Sequence, residues 1–216
     1  MSPSLVVHHL GVSQSERIVW LCEELDLPYT LEVYSRDPVT RLAPEAYKAL
    51  HPMGVAPVIR DGDLVLGESG AIVDYILARY GQGRLVLAPD APGFADYLFW
   101  FHFANGTFVA NEMLTLVANA LGVPEDHPGR GFSKARSQRA YDLVESRLGQ
   151  ADYFAGDSLT AADIMMVFPL TTMRRFIPRA GADYPNIRAY LGRIGARPAY
   201  RRARDKGDPG LPPSLD

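Results

Sequence analysis

The strongest constraint on the fold is a change of pattern about a third of the way along the chain. Residues 4–81 alternate between short β-branched runs and stretches with helical spacing, in the order β-α-β-α-β-β-α. Residues 82–93, rich in glycine and proline, follow, and beyond them only helical patterns occur. The sequence therefore predicts an α/β domain over residues 1–81, a linker over 82–93 and an all-helical domain over 94–216.

The individual elements follow from their spacing and their end signals. The first domain is predicted to contain strands at 4–10 and 29–35, helices at 15–27, 43–50 and 69–81, and a hairpin at 56–69 that turns at Asp61-Gly62. The second is predicted to contain helices at 94–121 and 134–150, a core helix begun by a Thr160–Asp163 capping box, and a last helix at 184–203 broken at Pro198. The segment HPGRGFS (127–133) is expected to interrupt the helical pattern.

Composition excludes several function classes. The 216 residues carry a formal net charge of −3, so no basic surface for nucleic acid is predicted. No apolar run approaches the roughly 18 residues of a membrane span, and the first residues do not resemble a secretory signal. We therefore expect a soluble cytoplasmic protein.

The metal-binding residue types are sparse. Cys22 is the single cysteine, which excludes an intramolecular disulfide and a thiolate metal cage. His8 and His9 are neighbours on a strand, point to opposite faces and cannot chelate together. At most one of the two belongs to a site; we favour the interpretation that both are ordinary strand residues, and we predict no metal site.

Two serines stand where the first loop meets the first helix. Free backbone N–H groups and the positive helix end converge there and favour an anion. Simple helix capping is the favoured interpretation for Ser15, and Ser13 is a loop hydroxyl. Cys22 lies on the apolar side two turns into the helix, so we expect a buried, inert thiol.

Two further junctions carry unusual residues. Pro57 opens a strand although proline cannot donate to a ladder, and a cis Ala56-Pro57 bond would turn the Ala56 backbone toward a peptide-like ligand. Glu68 and Ser69 precede a helix, where they could bind an ammonium and a carboxylate respectively. An ordinary capped helix with a solvated Glu68 explains the second pair equally well.

An ordered set of segments resembles the cytosolic glutathione transferases. The segments are SQSERIVWLCEELDLPY, HPMGVAPVI, GESGAIVDYI, LTAADI and RPAYRRA, and the N-terminal region is most similar to the serine-type bacterial and fungal branch. The resemblance implies the GST fold, in which an N-terminal thioredoxin-like domain precedes a C-terminal helical bundle. It also implies glutathione as cosubstrate and a homodimer.

The resemblance also implies roles for particular residues. Ser13, with Ser15 as the alternative, would activate the glutathione thiol. The remaining implied contacts to glutathione are Val55, Ala56 and Pro57 at the cysteinyl part, Glu68 and Ser69 at the γ-glutamyl end, and His51 or Arg41 at the glycine carboxylate. Many relatives have a polar or basic side chain at the position of Val55, so one contact to glutathione is missing here.

The implied activity is transfer of glutathione to a small hydrophobic electrophile, together with a peroxidase activity. The implied acceptor pocket, between the domains, would draw on Phe99, His102, Phe103, Asn105, Phe108 and Met113, although each fits bundle core or dimer contact as well. The alternative is a non-catalytic module that binds glutathione, a hydrophobic ligand or a protein. A disulfide reductase is disfavoured because the N-terminal domain has no C-x-x-C motif.

Overall fold

A computed structural model describes residues 4–179 and 183–216. Contacts divide these residues into two compact units. The first unit contains the residues up to Val86 together with Gly195–Pro213, and the second contains Leu87–Ile194 together with Ser214–Asp216. The chain therefore returns to its first unit after completing the second, and the predicted linear domain boundaries stay a prediction.

The regular elements follow the predicted order. In the first unit they are β1 (Leu5–Leu10), α1 (Glu16–Glu24), β2 (Thr30–Tyr34), α2 (Glu45–Lys48), β3 (Val58–Asp61), β4 (Leu64–Gly67) and α3 (Ser69–Tyr80). The later helices are α4 (Phe94–Phe103), a π-helical turn (Ala104–Val109), α5 (Ala110–Ala120), α6 (Pro128–Leu148), α7 (Ala161–Leu170), a 3₁₀ turn (Thr172–Arg175), α8 (Pro185–Ala196) and α9 (Pro198–Gly207).

The first unit is built on a four-stranded mixed sheet in the order β2-β1-β3-β4. β1 and β2 run parallel because α1 carries the chain across between them, whereas β3 and β4 form an antiparallel hairpin. Gly62 occupies the hairpin turn with a φ of 61°, a conformation that glycine adopts without a steric cost. The predicted β-α-β-α-β-β-α order and the turn at Asp61-Gly62 are confirmed.

The first unit also includes α9, which packs along α1. Trp20 of α1 meets Tyr200 of α9 edge to face, with the ring centroids 5.2 Å apart. The acidic side chains on α1 are paired with basic side chains at α9: Glu24 Oε1 with Arg197 Nε at 2.7 Å, and Glu23 Oε2 with Arg202 Nε at 2.8 Å. α1 is consequently buried on all sides, including its charged positions.

The second unit is helical, and its long first helix differs from a regular α-helix. The predicted helix over 94–121 is present, but a π-helical turn at Ala104–Val109 interrupts its α-helical hydrogen bonding. Phe108 lies in this turn, fully buried, and packs edge to face on Tyr141 with ring centroids 4.8 Å apart. A π turn contains one extra residue per turn, which shifts the face presented by the residues that follow.

Two predicted helix starts in the second unit have different outcomes. The Thr160–Asp163 capping box is present: Asp163 Oδ2 accepts from the Thr160 backbone N–H at 2.8 Å. The expected interruption at 127–133 is wrong, because α6 already begins at Pro128. Proline is compatible with the first position of a helix, and His127 Nδ1 caps the end by accepting from the Gly129 amide at 3.1 Å.

Candidate functional site

Ser13 lies in the loop between β1 and α1. Its hydroxyl is 2.7 Å from the Leu10 carbonyl oxygen and 2.7 Å from Ser15 Oγ, and it accepts from the Ser15 amide at 3.2 Å. The preceding residue, Val12, has a φ of 53°, which is unfavourable for a β-branched side chain. The loop is therefore held in a strained conformation by its contacts, a feature common at functional sites.

Ser15 has a different role from the one predicted. Within the described part of the chain its side chain makes no capping hydrogen bond to α1, so that interpretation is wrong. The hydroxyl points back toward β1, where it accepts from the Leu10 amide at 3.1 Å and lies 2.9 Å from His9 Nδ1. Ser15 has a helical φ and ψ (−66° and −17°), which turns its hydroxyl away from the first-turn amides.

His9 connects these serines to the last part of the first unit. The ring is fully buried, and its Nε2 lies 3.5 Å from Asp208 Oδ1, just beyond the end of α9. The same carboxylate accepts from the Val12 amide at 3.0 Å and pairs with Arg204 Nη1 at 3.1 Å. Burial raises the pKa of Asp208, but His9, the Val12 amide and Arg204 outweigh it, and the pKa lies below its usual value. His9 is a residue of strand β1, as predicted, and its ring in addition contacts Ser15 beside the Ser13 loop.

His8 points to the other face of the sheet, as its position next to His9 predicts. Its Nδ1 lies 3.1 Å from the Tyr34 hydroxyl. Burial is the main cause of a lowered pKa of His8, with the positive charge of Arg60 adding to it. The two neighbouring histidines thus contact different residues on opposite faces of the sheet.

Gln14 and Arg17 connect the Ser13 loop to the start of α3. Gln14 Oε1 accepts from Arg17 Nη1 at 2.5 Å and from Ser69 Oγ at 3.4 Å, and Arg17 Nη1 also donates to Ser69 Oγ at 3.2 Å. Burial lowers the pKa of Arg17 to about 9, with Glu16 and Glu68 acting in the opposite direction. Arg17 thus remains a buried cation at neutral pH beside Ser69. Sequence reasoning assigned no role to this link, because it joins the first loop to a helix more than fifty residues later in the chain.

Glu68 and Ser69 lie at the N-terminus of α3. Glu68 immediately precedes the helix with a φ of 71°, and its side chain is exposed. Ser69 is the first helical residue and is buried. In the described residues no side chain caps this helix, so the amides of its first turn remain directed at the site. This arrangement suits an anion next to a negatively charged side chain that can pair with a cation.

The Ala56-Pro57 peptide bond is cis, as the strand-opening proline predicts. Pro57 is buried directly before β3, whereas Val55 is 57% exposed. His51 is also near this region, because its ring contacts the backbone of Gly67, where an added Cβ would lie 3.2 Å from it. The structure thus brings His51 next to the β4–α3 junction that carries Glu68.

Arg41 is exposed, in the segment after β2, and its carbonyl oxygen contacts Arg36. Arg36, a residue that sequence reasoning missed, has the clearer role. Its guanidinium donates to the Gly11 and Val12 carbonyl oxygens at 2.9 and 3.2 Å and to the Arg41 carbonyl oxygen at 3.0 Å. Arg36 follows β2 in the chain, and these hydrogen bonds stabilise the backbone of the loop that carries Ser13.

Cys22 is buried in α1 and is a free thiol. Burial is the main cause of a strongly raised pKa of this thiol, so the thiolate does not form at neutral pH. The predicted burial of Cys22 is confirmed, and its inertness stays a prediction.

The aromatic residues predicted for an acceptor pocket divide by exposure. Phe103 and Phe108 are buried in the second unit. Phe99 and Met113 are 49% and 43% exposed, His102 is exposed and Asn105 is half-buried. Two of the six are therefore interior residues of the helical unit, and the other four are partly or largely exposed.

Two further findings on the described residues concern membrane spans and metal ions. Among residues 4–179 and 183–216, no helix is both long and apolar enough to span a membrane. The same ranges contain no group of three or more histidine, cysteine, aspartate or glutamate residues placed to hold a metal ion.

The mixed sheet, the cis-proline before β3 and the open N-terminus of α3 define a thioredoxin-like unit, here joined to a helical unit. Residues 8–84 match the family model for the glutathione S-transferase N-terminal domain, and residues 133–198 match the model for the C-terminal domain. Glutathione S-transferase 3 of Schizosaccharomyces pombe is 33% identical over 94% of this chain and 87% of its own length.

Solved structures agree with these sequence matches. A glutathione S-transferase from Actinobacillus pleuropneumoniae superposes with a TM-score of 0.87 at 36% identity, covering 98% of this chain and 95% of the other. A theta class glutathione S-transferase from Xanthomonas axonopodis pv. citri, solved with glutathione bound, has a TM-score of 0.70 at 27% identity, covering 93% and 97%. The chain therefore belongs to the glutathione S-transferase family and has the GST fold.

Proposed function

We propose that this protein transfers the thiolate of glutathione to small hydrophobic electrophiles, with the Ser13 hydroxyl stabilising the thiolate. The observation that carries the proposal is the bridge from the Ser13 loop to α3. Gln14, the neighbour of Ser13, accepts from Ser69 Oγ at 3.4 Å, so the loop hydroxyl and the anion-binding helix start belong to one site. Both belong to the first unit, which also contains the cis Ala56-Pro57 bond.

The two ends of glutathione carry charges that this site can hold. The γ-glutamyl carboxylate would bind at the first-turn amides of α3 and Ser69, with the buried Arg17 cation behind them, and the ammonium would pair with Glu68. The Ala56 backbone would pair with the cysteinyl part beside Pro57, and Val55 would add apolar contact only. His51, close to Gly67, is better placed than Arg41 for the glycine carboxylate.

The chemistry requires a thiolate at neutral pH, and the available interactions are of the right size. A free thiol has a pKa of about 8.5. A hydrogen bond to a charged group contributes roughly 1.5–3 kcal/mol, and a helix N-terminus roughly 0.3–1 kcal/mol. At about 1.4 kcal/mol per pKa unit, these lower the thiol pKa by roughly 1.3–3 units. Ser13 therefore needs only to donate a hydrogen bond.

The ionised sulfur would then attack the acceptor. With a halogenated aromatic acceptor, the carbon–sulfur bond forms and halide leaves. With a hydroperoxide, sulfur attacks the O–O bond and an alcohol leaves; a second glutathione then completes the disulfide and water is released. A small hydrophobic acceptor is the substrate class that the family resemblance implies. Homodimeric assembly in the cytoplasm, as the family resemblance implies, completes the proposal.

The test compares wild type with Ser13→Ala, using a chlorodinitrobenzene and a hydroperoxide as acceptors. Loss of one hydrogen bond to a charged group predicts a fall of about 10–150-fold in kcat/KM at neutral pH, with glutathione affinity nearly unchanged. Ser35→Ala is the matched control, because Ser35 is an exposed loop serine of the same unit.

Three results would go against the proposal. Full activity of Ser13→Ala would remove Ser13 from the reaction and leave Ser15 as the alternative hydroxyl. Glutathione binding without turnover of either acceptor would favour the non-catalytic binding module. Absence of glutathione binding would reject both.

A further inference from the structure

The structure contains a row of four side chains that can donate or accept a proton. It runs from Ser13, the proposed hydrogen-bond donor to the thiolate, into the protein interior. Ser13 Oγ lies 2.7 Å from Ser15 Oγ, Ser15 Oγ lies 2.9 Å from His9 Nδ1, and His9 Nε2 lies 3.5 Å from Asp208 Oδ1. The first two distances lie within the normal range for hydrogen bonds. The order hydroxyl, hydroxyl, imidazole, carboxylate extends by one group the serine–histidine–aspartate arrangement that moves protons in hydrolases.

This row is shielded from solvent. Ser15 and His9 are fully buried, while Ser13 and Asp208 are 6% and 9% exposed. The His9 ring also lies against the backbone of Gly207, where a Cβ would approach Nε2 to 3.1 Å. A proton on His9 therefore exchanges with the site more directly through the two hydroxyls than through bulk water.

Hydrogen accounting allows two arrangements of the row. Each serine hydroxyl has one proton, and Ser15 Oγ also accepts from the Leu10 amide. In the first arrangement, Ser13 donates to Ser15, Ser15 donates to His9 Nδ1, and His9 carries its proton on Nε2 toward Asp208. In the second, the two bonds at Ser15 Oγ are reversed: His9 donates to Ser15, Ser15 donates to Ser13, and the Ser13 proton is directed at the bound ligand. In this second arrangement the Leu10 carbonyl, 2.7 Å from Ser13 Oγ, is an alternative acceptor for the Ser13 proton.

We propose that His9 Nδ1 accepts the proton of the glutathione thiol, relayed through Ser13 and Ser15, and that Asp208 holds the resulting imidazolium. This inference rests on the proposed function of the same site. The S–H bond breaks, one proton moves along each oxygen, and an Nδ1–H bond forms. The row passes from the first arrangement to the second, which leaves Ser13 donating to the thiolate. His9 and Asp208 act through the serines and are positioning residues.

The charges around His9 fit this assignment. Asp208 is the acidic group next to the ring, and its second oxygen is fixed by Arg204, which is itself paired with Glu16 at 2.6 Å. Arg36, on the loop side, donates to the Gly11 and Val12 carbonyl oxygens. Asp208 also accepts from the Val12 amide, so the same carboxylate sets the conformation of the Ser13 loop and faces the imidazole. Protonation of His9 completes an ion pair with a carboxylate that is already ionised.

Counting protons tests the proposal directly on the intact protein. Calorimetric titration with glutathione in two buffers of different ionisation enthalpy gives the number of protons released, while ultraviolet absorbance gives the amount of thiolate formed. We expect about one thiolate per site with close to zero net proton release. Nitrogen NMR of the histidine rings should show His9 neutral in the free protein and protonated with glutathione. S-methylglutathione, which has no thiol proton, should leave His9 neutral.

Variants separate the relay from general packing effects. Asp208→Asn retains an oxygen for the Val12 amide but loses the charge, and we expect the bound thiol pKa to rise by about one unit, a tenfold loss of thiolate below that pKa. His9→Gln and Ser15→Ala should act in the same direction. Arg202→Gln is the matched control, because it breaks an ion pair between α9 and α1 at Glu23 without touching the row. It should leave the thiol pKa unchanged.

Release of one proton to solvent for each thiolate formed would overturn the relay and leave the proposed function standing. A free protein in which His9 already carries two ring protons would also overturn it. If glutathione binds without forming any thiolate, or does not bind, the proposed function itself fails and the relay fails with it.

Discussion

Replacement of Arg204 by methionine should destabilise the first unit far more than the same replacement of Arg202, two residues earlier on α9. Arg204 is 7% exposed and its Nη1 pairs with Glu16 Oε2 at 2.6 Å and with Asp208 Oδ2 at 3.1 Å. The Arg202 side chain is 46% exposed. Methionine fills a similar volume without the charge, so the two variants differ mainly in which carboxylates lose a partner.

The expected cost for Arg204→Met is about 3–5 kcal/mol, because two buried carboxylates are left facing each other without a cation. An exposed ion pair such as that of Arg202 is screened by solvent and contributes much less. Because the pKa of Asp208 is lowered in the folded protein, the cost of Arg204→Met should depend on pH. The contribution of Asp208 to stability is present above the unfolded pKa of about 3.9 and is lost as the pH falls through the lower folded pKa. The difference between wild type and Arg204→Met should therefore be largest near pH 7 and shrink below about pH 4.

The assay is urea unfolding followed by tryptophan fluorescence in a Trp100→Phe background. Trp20 is then the remaining tryptophan, and its contact with Tyr200 makes it a reporter of the α1–α9 packing. Equal urea midpoints for Arg204→Met and Arg202→Met would refute the reasoning, because burial would then not determine how much these ion pairs contribute to the free energy of unfolding. A cost that is the same at pH 7 and well below pH 4 would refute the part assigned to Asp208.

Two further outcomes follow from buried groups. Asp163→Ala should destabilise the second unit by about 2–6 kcal/mol, because it leaves the Thr160 and Phe154 amides without their buried acceptor. Urea unfolding followed by Trp100 fluorescence measures this loss. A change under about 1 kcal/mol would contradict the prediction. The Cys22 thiol should react with a thiol reagent only after urea unfolds the protein, because it is buried and its pKa is raised; rapid modification of the native protein at pH 7 would show that assignment to be wrong.

Local patterns in the sequence were sufficient for most of the first unit. The strands, the hairpin turn at Asp61-Gly62 and the helix at 69–80 depend on periodicity and on turn residues, which lie within a few positions of one another. The unusual strand-opening Pro57 indicated its cis bond for the same reason. Where a local signal had two meanings, the prediction was less secure: Pro128 was interpreted as part of a break, although it begins α6.

The parts of the site that the sequence did not predict depend on contacts distant in the chain. His9 lies on the first strand and Asp208 follows the last helix, so no spacing rule connects them. Ser15 has the residue type and position of a helix cap, and only the backbone conformation shows that its hydroxyl faces His9 instead. Arg36 likewise acts through a loop that folds back onto Gly11 and Val12. A single sequence contains residue types, but it does not contain these pairings.

The return of residues 195–213 to the first unit has a consequence for synthesis of the chain. A ribosome releases residues 4–86 long before α9 exists, yet Glu16, Glu23 and Glu24 of α1 take their cationic partners from that late segment. The acidic side chains of α1 therefore lack their cationic partners while the helical unit is being translated. The first unit is therefore completed only after the segment 195–213 has been synthesised.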